Sequence, residues 1–276
     1  MRFDSVVFAD HASIAAVSCF ARLRQDREAG RRTVIVALVD ASGAAAITHR
    51  GLGTVYAFDQ FEGSVASQGW IERLAVTIRK LEVEHVMAPL GLFGLTHSID
   101  YFGLLRRVFN VDKGRDLLFF EERPQCLVPE AVLLRLATLG VRLPPAVQFK
   151  APRRYGSLAL RLLTGMGVPP VFGGFRERSR LSTSLRTAFE QAQDWDSLRA
   201  LGPKLQPVTL PWTDADSGEL LDLAEALGIA SQLGPKKTFR RRMARHGVTA
   251  GSRTPIERYW LSLPGALTPD SITDAY

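Results

Sequence analysis

SVVFADHASIAAVSCFARLRQDREAGRRTVIVAL, which spans residues 5–38, contains two apolar runs on either side of a longer amphipathic stretch. The runs at residues 5–9 (SVVFA) and 33–38 (TVIVAL) are rich in β-branched side chains, which is typical of strands buried on both faces. Residues 13–29 carry apolar side chains at helical spacing and end in charge. The stretch therefore predicts a strand–helix–strand unit with two parallel strands.

The same alternation continues to about residue 120. Residues 71–81 predict a helix, residues 85–88 (HVMA) a strand, residues 97–109 a helix and residues 117–120 (LLFF) a strand. Four parallel strands are thus expected in this part of the chain. The predicted fold class is α/β, with a Rossmann-like, mostly parallel sheet flanked by helices and a less regular C-terminal part.

Beyond Glu122 the amino-acid composition of the chain changes. Proline and glycine recur, as in GMGVPPVFGGF at residues 165–175, and predict loops and short helices. The remaining expected elements are a helix at 176–202, an extended segment at 205–211, a helix at 217–228 capped by Ser217, and a basic helix at 236–246 with Phe239 and Met243 packed inward.

We expect a single domain over residues 1–276, because no internal repeat divides the chain. Its composition, 46% hydrophobic and 23% charged, is that of an ordinary globular protein. Within the domain we expect three parts: a core of βα repeats at 1–125, a divergent insertion at 130–215, and C-terminal helices packed back on the core at 216–265.

Charge and cysteine content restrict the partners and the compartment. The net charge of +7 and the pI of about 9.8 permit an anionic partner, but no nucleic-acid recognition motif accompanies the charge. We therefore do not expect nucleic-acid binding. Only Cys19 and Cys126 occur, which excludes a disulfide framework, and no apolar run reaches the ~20 residues that span a bilayer. A cytoplasmic protein without membrane insertion is expected.

Polar residues follow each predicted parallel strand, where ligands bind in open α/β sheets. Asp10, His11 and Ser13 follow the first strand, and Glu121 and Glu122 follow the last. After the second strand comes DASG, residues 40–43, in which Asp40 either binds a sugar or ribose hydroxyl or forms a plain turn. After the third strand comes PLGLFGLTHSID, residues 89–100. The expected site therefore lies at this edge of the sheet.

His97 and Asp100 are three residues apart, so they share a face if a helix begins there. Together with His11 they would make a set of two histidines and one carboxylate, which binds zinc or iron with positions left open. The same side chains equally suit hydrogen bonds that join loops above the sheet without a metal. The spacing leaves both alternatives open.

Several segments resemble the PIG-L/LmbE-like N-acetylglucosaminyl deacetylases. FADHASIAAVSC, residues 8–19, resembles the family's strand, Ala-Pro-His-Pro-Asp-Asp-Glu motif and helix, and APLGLFGLTHSID, residues 88–100, resembles its glycine-rich loop ending in His-x-x-His. Weaker likenesses are LLFFEERP at 117–124, IASQL at 229–233 and IERYW at 256–260. The resemblance implies an LmbE-like fold and hydrolysis of the acetamide of N-acetylglucosamine-containing substrates.

The resemblance also implies roles for single residues. His11 corresponds to the first zinc ligand, His97 to the histidine that stabilises the oxyanion, and Asp100 stands where the family has its last ligand histidine. The family's two aspartates, the general base and a zinc ligand, fall on Ser13 and Ile14. Neither replacement does that work, because a serine hydroxyl is too weakly basic and isoleucine has no donor atom.

One arrangement would restore three metal ligands, namely His11, His97 and Asp100. Asp10, Glu121 or Glu122 would then serve as the base, while Ser13, Asp40 and both glutamates border the substrate. The expected function is hydrolysis of the amide bond of an N-acylated, sugar-containing small molecule, with zinc or another divalent metal. The alternative is a metal-free pseudoenzyme whose pocket binds a ligand or partner, and the sequence favours neither.

Overall fold

The computed structural model describes residues 3–58, 76–78, 80–92, 102, 105, 116–139, 141, 155–165, 178–179, 181–183, 185–186 and 205–263. Its centre is a seven-stranded sheet in the order β3-β2-β1-β4-β5-β7-β6. The strands are β1 (Ser5–His11), β2 (Thr33–Asp40), β3 (Thr54–Ala57), β4 (His85–Pro89), β5 (Asp116–Phe120), β6 (Leu205–Pro211) and β7 (Ile256–Ser262).

The first five strands in this order are parallel, whereas β7 is antiparallel to both of its neighbours. The helices are α1 (Ala12–Ser18), α2 (Phe20–Glu28), α3 (Ala44–His49), α4 (Pro129–Thr138), α5 (Tyr155–Gly165), α6 (Asp214–Ala226), α7 (Ala230–Leu233) and α8 (Lys236–Thr249). A 3₁₀ turn, Gln125–Leu127, precedes α4. This is the predicted α/β fold: a mostly parallel sheet with flanking helices.

Strand β1 lies at the centre of the parallel part of the sheet. Its residues 5–10 are all buried, as are the first five residues of β2, because helices flank the sheet. The chain proceeds from β1 through β2 to β3 on one side and then returns to place β4 on the other side of β1. Strand order therefore reverses between β1 and β4, and the crevice at their carboxyl ends is where such sheets bind ligands.

The antiparallel strands β6 and β7 extend the sheet beyond β5. Strand β6 contains Pro207 and Pro211 and forms an edge of the sheet. Proline has no N–H to donate, so an edge is the position in a sheet that tolerates it. The extended segment predicted at 205–211 is confirmed with the same bounds.

Several predicted elements differ from the structure. The strand candidates are confirmed but extend one or two residues further, and β3 and β7 were not predicted as strands. The helix predicted at 217–228 begins earlier, because the Thr213 hydroxyl, not Ser217, accepts a hydrogen bond from the Asp216 N–H and forms a capping box. Phe239 and Met243 are buried as predicted.

Other predicted elements lie partly outside the described residues. Residues 76–78 and 80–81 of the helix predicted at 71–81 are helical, as are residues 102 and 105 of the one at 97–109. In the helix predicted at 176–202, the described residues 178–179, 181–183 and 185–186 are helical. The division of the chain at residues 125, 130 and 215 stays a prediction.

The single helix predicted at 13–29 is two helices that meet at Cys19. The first free N–H groups of α2 at this junction point at a side chain that is distant in sequence. The buried Glu257 carboxylate on β7 accepts hydrogen bonds from the N–H groups of Ala21 and Arg22, both at 3.1 Å. A carboxylate at the positive end of a helix dipole is stabilising, so Glu257 acts as a cap for α2.

The same carboxylate pairs with Arg123, whose Nη1 lies 2.9 Å from Glu257 Oε2. Both side chains are only 2% exposed. Arg123 also donates from Nη1 to the Ser18 carbonyl at 3.1 Å, and its guanidinium lies over the Trp212 ring at 4.6 Å. The pair therefore connects the loop after β5 to the junction of α1 and α2 and to β7.

Glu257→Gln should lower the free energy of unfolding by about 3–5 kcal/mol, because it leaves the buried Arg123 guanidinium without a counter-charge. Urea denaturation measures this loss. Glu28→Gln is the matched control: Glu28 is 58% exposed and pairs with Arg24 on the surface, so its loss should change stability by no more than about 0.5 kcal/mol. Combining Glu257→Gln with Arg123→Met should cost less than the sum of the single changes. Equal losses in Glu257→Gln and Glu28→Gln would contradict this account.

Candidate active site at the carboxyl edge of the sheet

His11 and Asp40 meet at the carboxyl ends of the adjacent strands β1 and β2. His11 Nδ1 lies 3.4 Å from Asp40 Oδ2, and the two side chains are 42% and 45% exposed. The contact depends on a shift in strand register between Ala9 and His11. The earlier register would place Val39 opposite His11, and the shift brings Asp40 there instead.

Asp40 is fixed by the turn that follows β2. The Ser42 N–H donates to Asp40 Oδ1 at 2.8 Å and the Ser42 hydroxyl donates to Oδ2 at 2.6 Å. The hydrogen bond from the Ser42 hydroxyl is the main cause that lowers the pKa of Asp40 below its ordinary value. Asp40 is therefore an ionised carboxylate with a defined orientation. The turn predicted at 40–43 is confirmed, and the contact of Asp40 with a substrate stays a prediction.

The contact with Asp40 determines which ring nitrogen of His11 carries the proton and which carries a lone pair. An ionised carboxylate can only accept a hydrogen bond, so the contact with Asp40 requires the His11 proton to lie on Nδ1. A neutral His11 then presents Nε2 as a lone pair. Metal-binding histidines in proteins are oriented by a carboxylate in this way, and so are histidines that act as bases.

Helix α1 begins directly after His11 and contains the positions where the resemblance placed two missing aspartates. Ser13 is 8% exposed and Ile14 is half-buried. The first turn of α1 contains no acidic residue. Asp10 precedes His11 on β1 and is buried, and adjacent strand residues point to opposite faces of a sheet. The catalytic role of Asp10 and the substrate contact of Ser13 stay predictions.

Glu122 holds the turn that follows β4. Its Oε1 accepts hydrogen bonds from the N–H groups of Gly91 and Leu92, both at 2.9 Å. Gly91 has a φ of 81°, a left-handed conformation that favours glycine and lets two successive N–H groups converge on one oxygen. Arg135 adds a hydrogen bond from Nε to the Leu90 carbonyl at 3.0 Å. The chain is thereby anchored at Leu90–Leu92, just before the segment of sequence that contains His97 and Asp100.

Glu122 is fully buried, and burial raises its pKa to about 7. Its other oxygen, Oε2, has no hydrogen-bond partner among the described residues. The neighbouring carboxylate in the sequence behaves in the opposite way. Burial alone would raise the pKa of Glu121, but the Arg258 guanidinium and His246 outweigh burial and lower that pKa to about 2.

Glu121 lies within a polar cluster formed by β7 and α8. Its Oε1 accepts from Arg258 Nε at 2.5 Å and from Trp260 Nε1 at 2.8 Å, and its Oε2 lies 2.6 Å from His246 Nε2. Because Glu121 and Glu122 are buried and have these protein contacts, the structure gives both of them positioning roles. Their predicted contact with substrate stays a prediction.

His97 and Asp100 lie outside the described residues, so the predicted set of three ligands is represented by His11 alone. The sequence pointed to Asp40 but not to its contact with His11, and it did not indicate His246, Arg258 or Trp260 as partners of Glu121. The Asp-x-Ser spacing at 40–42 is a signal for the first of these arrangements. No local signal exists for the second, since its members are more than a hundred residues apart in sequence.

No protein-family model and no curated protein sequence matches the chain. Solved structures do match. The A40926 pseudoaglycone deacetylase Dbv21 superposes with a TM-score of 0.53 at 11% identity, covering 97% of this chain and all of that one. The zinc-inhibited form of teicoplanin deacetylase Orf2 gives 0.53 at 9% identity, with 97% and 100% coverage. A conserved protein of Thermus thermophilus gives 0.50 at 15% identity, with 98% and 99% coverage.

At these identities the likeness concerns the fold, and it extends over nearly the whole of each chain. It agrees with the α/β architecture of the mostly parallel sheet and with the family resemblance of residues 8–19 and 88–100. The chain has the fold of the PIG-L/LmbE-like deacetylases.

Proposed function

We propose that the chain is a hydrolase that cleaves the amide bond of an N-acylated, sugar-containing small molecule, with a divalent metal held at His11. The observation that carries the proposal is the His11–Asp40 pair, which lies beside the crevice between β1 and β4 and presents the lone pair of His11 Nε2 as a metal ligand. The solved structures with this fold include deacetylases of the A40926 and teicoplanin pathways. That agreement supports an N-acyl substrate.

Among the described residues, only part of a metal-binding set is present at this site. His11 offers one oriented nitrogen, whereas Ser13 and Ile14 offer no carboxylate. In the proposal, His97 and Asp100 complete the ligand set; they follow in sequence the turn at residues 90–92 that Glu122 and Arg135 hold. A divalent metal held there would polarise the amide carbonyl.

The remaining steps fall to the side chains of the chain. Asp40 keeps the proton of His11 on Nδ1 throughout, because its carboxylate accepts that proton's hydrogen bond. Amide hydrolysis also requires a base to take a proton from water and an acid to return it to the leaving amine. We assign both transfers to Asp10, which would take the proton from water and return it to the leaving amine, while His97 serves as a metal ligand.

A second candidate function is a metal-free pocket that binds a ligand without cleaving it. The observation in its favour is the first turn of α1, which contains no acidic side chain. Under this alternative the His11–Asp40 pair donates and accepts hydrogen bonds to a sugar hydroxyl. The half-exposed positions of both side chains suit such a contact.

Metal content and amine release from N-acetylglucosamine derivatives together distinguish the two functions. For protein purified without chelator, we expect bound metal and measurable amine release. Asp40→Asn should lower metal affinity or activity by roughly 10–100-fold, because it removes the group that orients a ligand, and His11→Ala should lower them further. His49→Ala is the control, since His49 is exposed at the end of α3. Absence of both metal and amine release in the unaltered protein would contradict the hydrolase and favour the metal-free pocket.

The double change Ser13→Asp and Ile14→Asp tests whether α1 faces the proposed metal. Restoring two carboxylates beside His11 should tighten metal binding by at least ~10-fold, the scale on which single groups around a metal act. Equilibrium binding of Zn²⁺ measures the change. Ala45→Asp with Thr48→Asp adds the same charge on the exposed surface of α3 and should leave affinity unchanged. Equal affinities in the two double variants would show that the first turn of α1 does not contact the metal.

A further inference from the structure

Glu121, Cys126 and His246 form a buried cluster that shares no residue with the His11–Asp40 pair. One carboxylate oxygen, the Cys126 Sγ and one imidazole nitrogen lie within 4.8 Å of one another. The three residues come from separate elements: the residue after β5, the 3₁₀ turn, and α8. Each side chain is at most 3% exposed. Thiolate, imidazole and carboxylate are the donor types that Zn²⁺ binds in proteins.

The carboxylate of this cluster is oriented as that of a metal ligand is. Arg258 Nε and Trp260 Nε1 both donate to Glu121 Oε1, which leaves Oε2 turned towards His246. Carboxylates that bind metals are generally held by hydrogen bonds of this kind to the oxygen that does not bind. The strongly lowered pKa of Glu121 means that the carboxylate carries its full charge.

His246 supplies the nitrogen ligand of the cluster. Its Nε2 is the atom that contacts Glu121, 2.6 Å from Oε2, so a cation between the two side chains would replace this hydrogen bond. Coordination through Nε2 requires the imidazole proton to lie on Nδ1, which is buried and has no hydrogen-bond partner among the described residues.

We propose that Glu121, Cys126 and His246 form a structural divalent-metal site, with Zn²⁺ as the preferred ion. The site does not depend on the proposed hydrolase activity and shares no residue with the His11 ligand set. Its three ligands join β5, the 3₁₀ turn and α8, so metal binding adds to the free energy of folding. We assign a structural role to the site because each of the three side chains is at most 3% exposed, which keeps a bound ion away from solvent and substrate.

Binding at this site is a proton-releasing step. Burial raises the pKa of the Cys126 thiol well above its ordinary value, so the free protein holds this cysteine protonated. When the metal binds, the Sγ–H bond breaks, the Sγ–metal bond forms, and the proton passes to the solvent. No electron is transferred, and neither an oxidant nor a reductant is required.

Titration of chelator-treated full-length protein with Co²⁺, a spectroscopic substitute for Zn²⁺, tests the proposal. We expect a thiolate-to-cobalt charge-transfer absorption that saturates within two equivalents, because the His11 set also binds a metal, and that disappears when Zn²⁺ is added. Cys126→Ser should abolish this absorption. Cys19→Ser is the matched control, because Cys19 is the other free, buried cysteine and lies outside the cluster, and it should leave the absorption unchanged.

His11→Ala should also leave the thiolate absorption unchanged, which separates this site from the proposed catalytic metal. Circular dichroism of each variant establishes that it is folded, and His246→Ala provides a second variant that should weaken Co²⁺ binding if Cys126→Ser does not fold. No thiolate absorption in the unaltered protein, or absorption that persists in folded Cys126→Ser, overturns the proposal. Loss of the absorption in His11→Ala would overturn it as well.

Discussion

The carboxyl edge of the sheet depends on the hydrogen bonds that the buried Glu257 carboxylate accepts. Four groups donate to it: the N–H groups of Ala21 and Arg22, the Arg123 guanidinium and the Tyr259 hydroxyl. A buried charge is tolerated in an apolar interior only when it is paired and hydrogen-bonded in this way. Because Arg123 directly follows Glu121 and Glu122, fixing Arg123 also fixes the chain that positions both glutamates. Glu122 in turn holds the turn after β4, and Glu121 contacts His246 on α8. The Arg123–Glu257 pair therefore helps to position both of these regions, although it contacts neither of them.

Two polar regions result at the carboxyl edge, and they differ in their exposure to water. The side chains of His11 and Asp40 are nearly half exposed. The pKa of Asp40 is lowered mainly by the hydrogen bond that its carboxylate accepts from the Ser42 hydroxyl. Glu121 and Glu122 are buried, and their pKa values lie on opposite sides of the ordinary one, about 2 and about 7. The difference between these neighbours arises from their partners: a guanidinium for Glu121, and backbone N–H groups with an incompletely bonded oxygen for Glu122. The His11–Asp40 pair is therefore accessible to a ligand, whereas Glu121 and Glu122 hold neighbouring parts of the chain together.

The sequence predicted what depends on local periodicity and missed what depends on distant partners. The four parallel strands and the inward faces of α8 could be read from apolar patterns. The break at Cys19 could not, because the cap of α2 comes from Glu257, 236 residues away from Ala21. Strand β3 has only four residues, and β7 contains charged and aromatic side chains that are buried side by side, so neither shows a simple pattern. His11 and Asp40 were each predicted, but their contact was not, since it depends on strand register.

The described residues contain no helix that is long and apolar enough to cross a membrane.

The register shift between β1 and β2 that pairs His11 with Asp40 has a consequence for how this sheet tolerates changes in length. The partner of His11 is determined by the number of residues along β2, so inserting or deleting one residue before Asp40 would place Val39 or another neighbour opposite His11. Because side chains alternate between the two faces of a strand, the same change would turn the adjoining side chains of β2 to the other face, so the length of this strand is constrained together with its residue types.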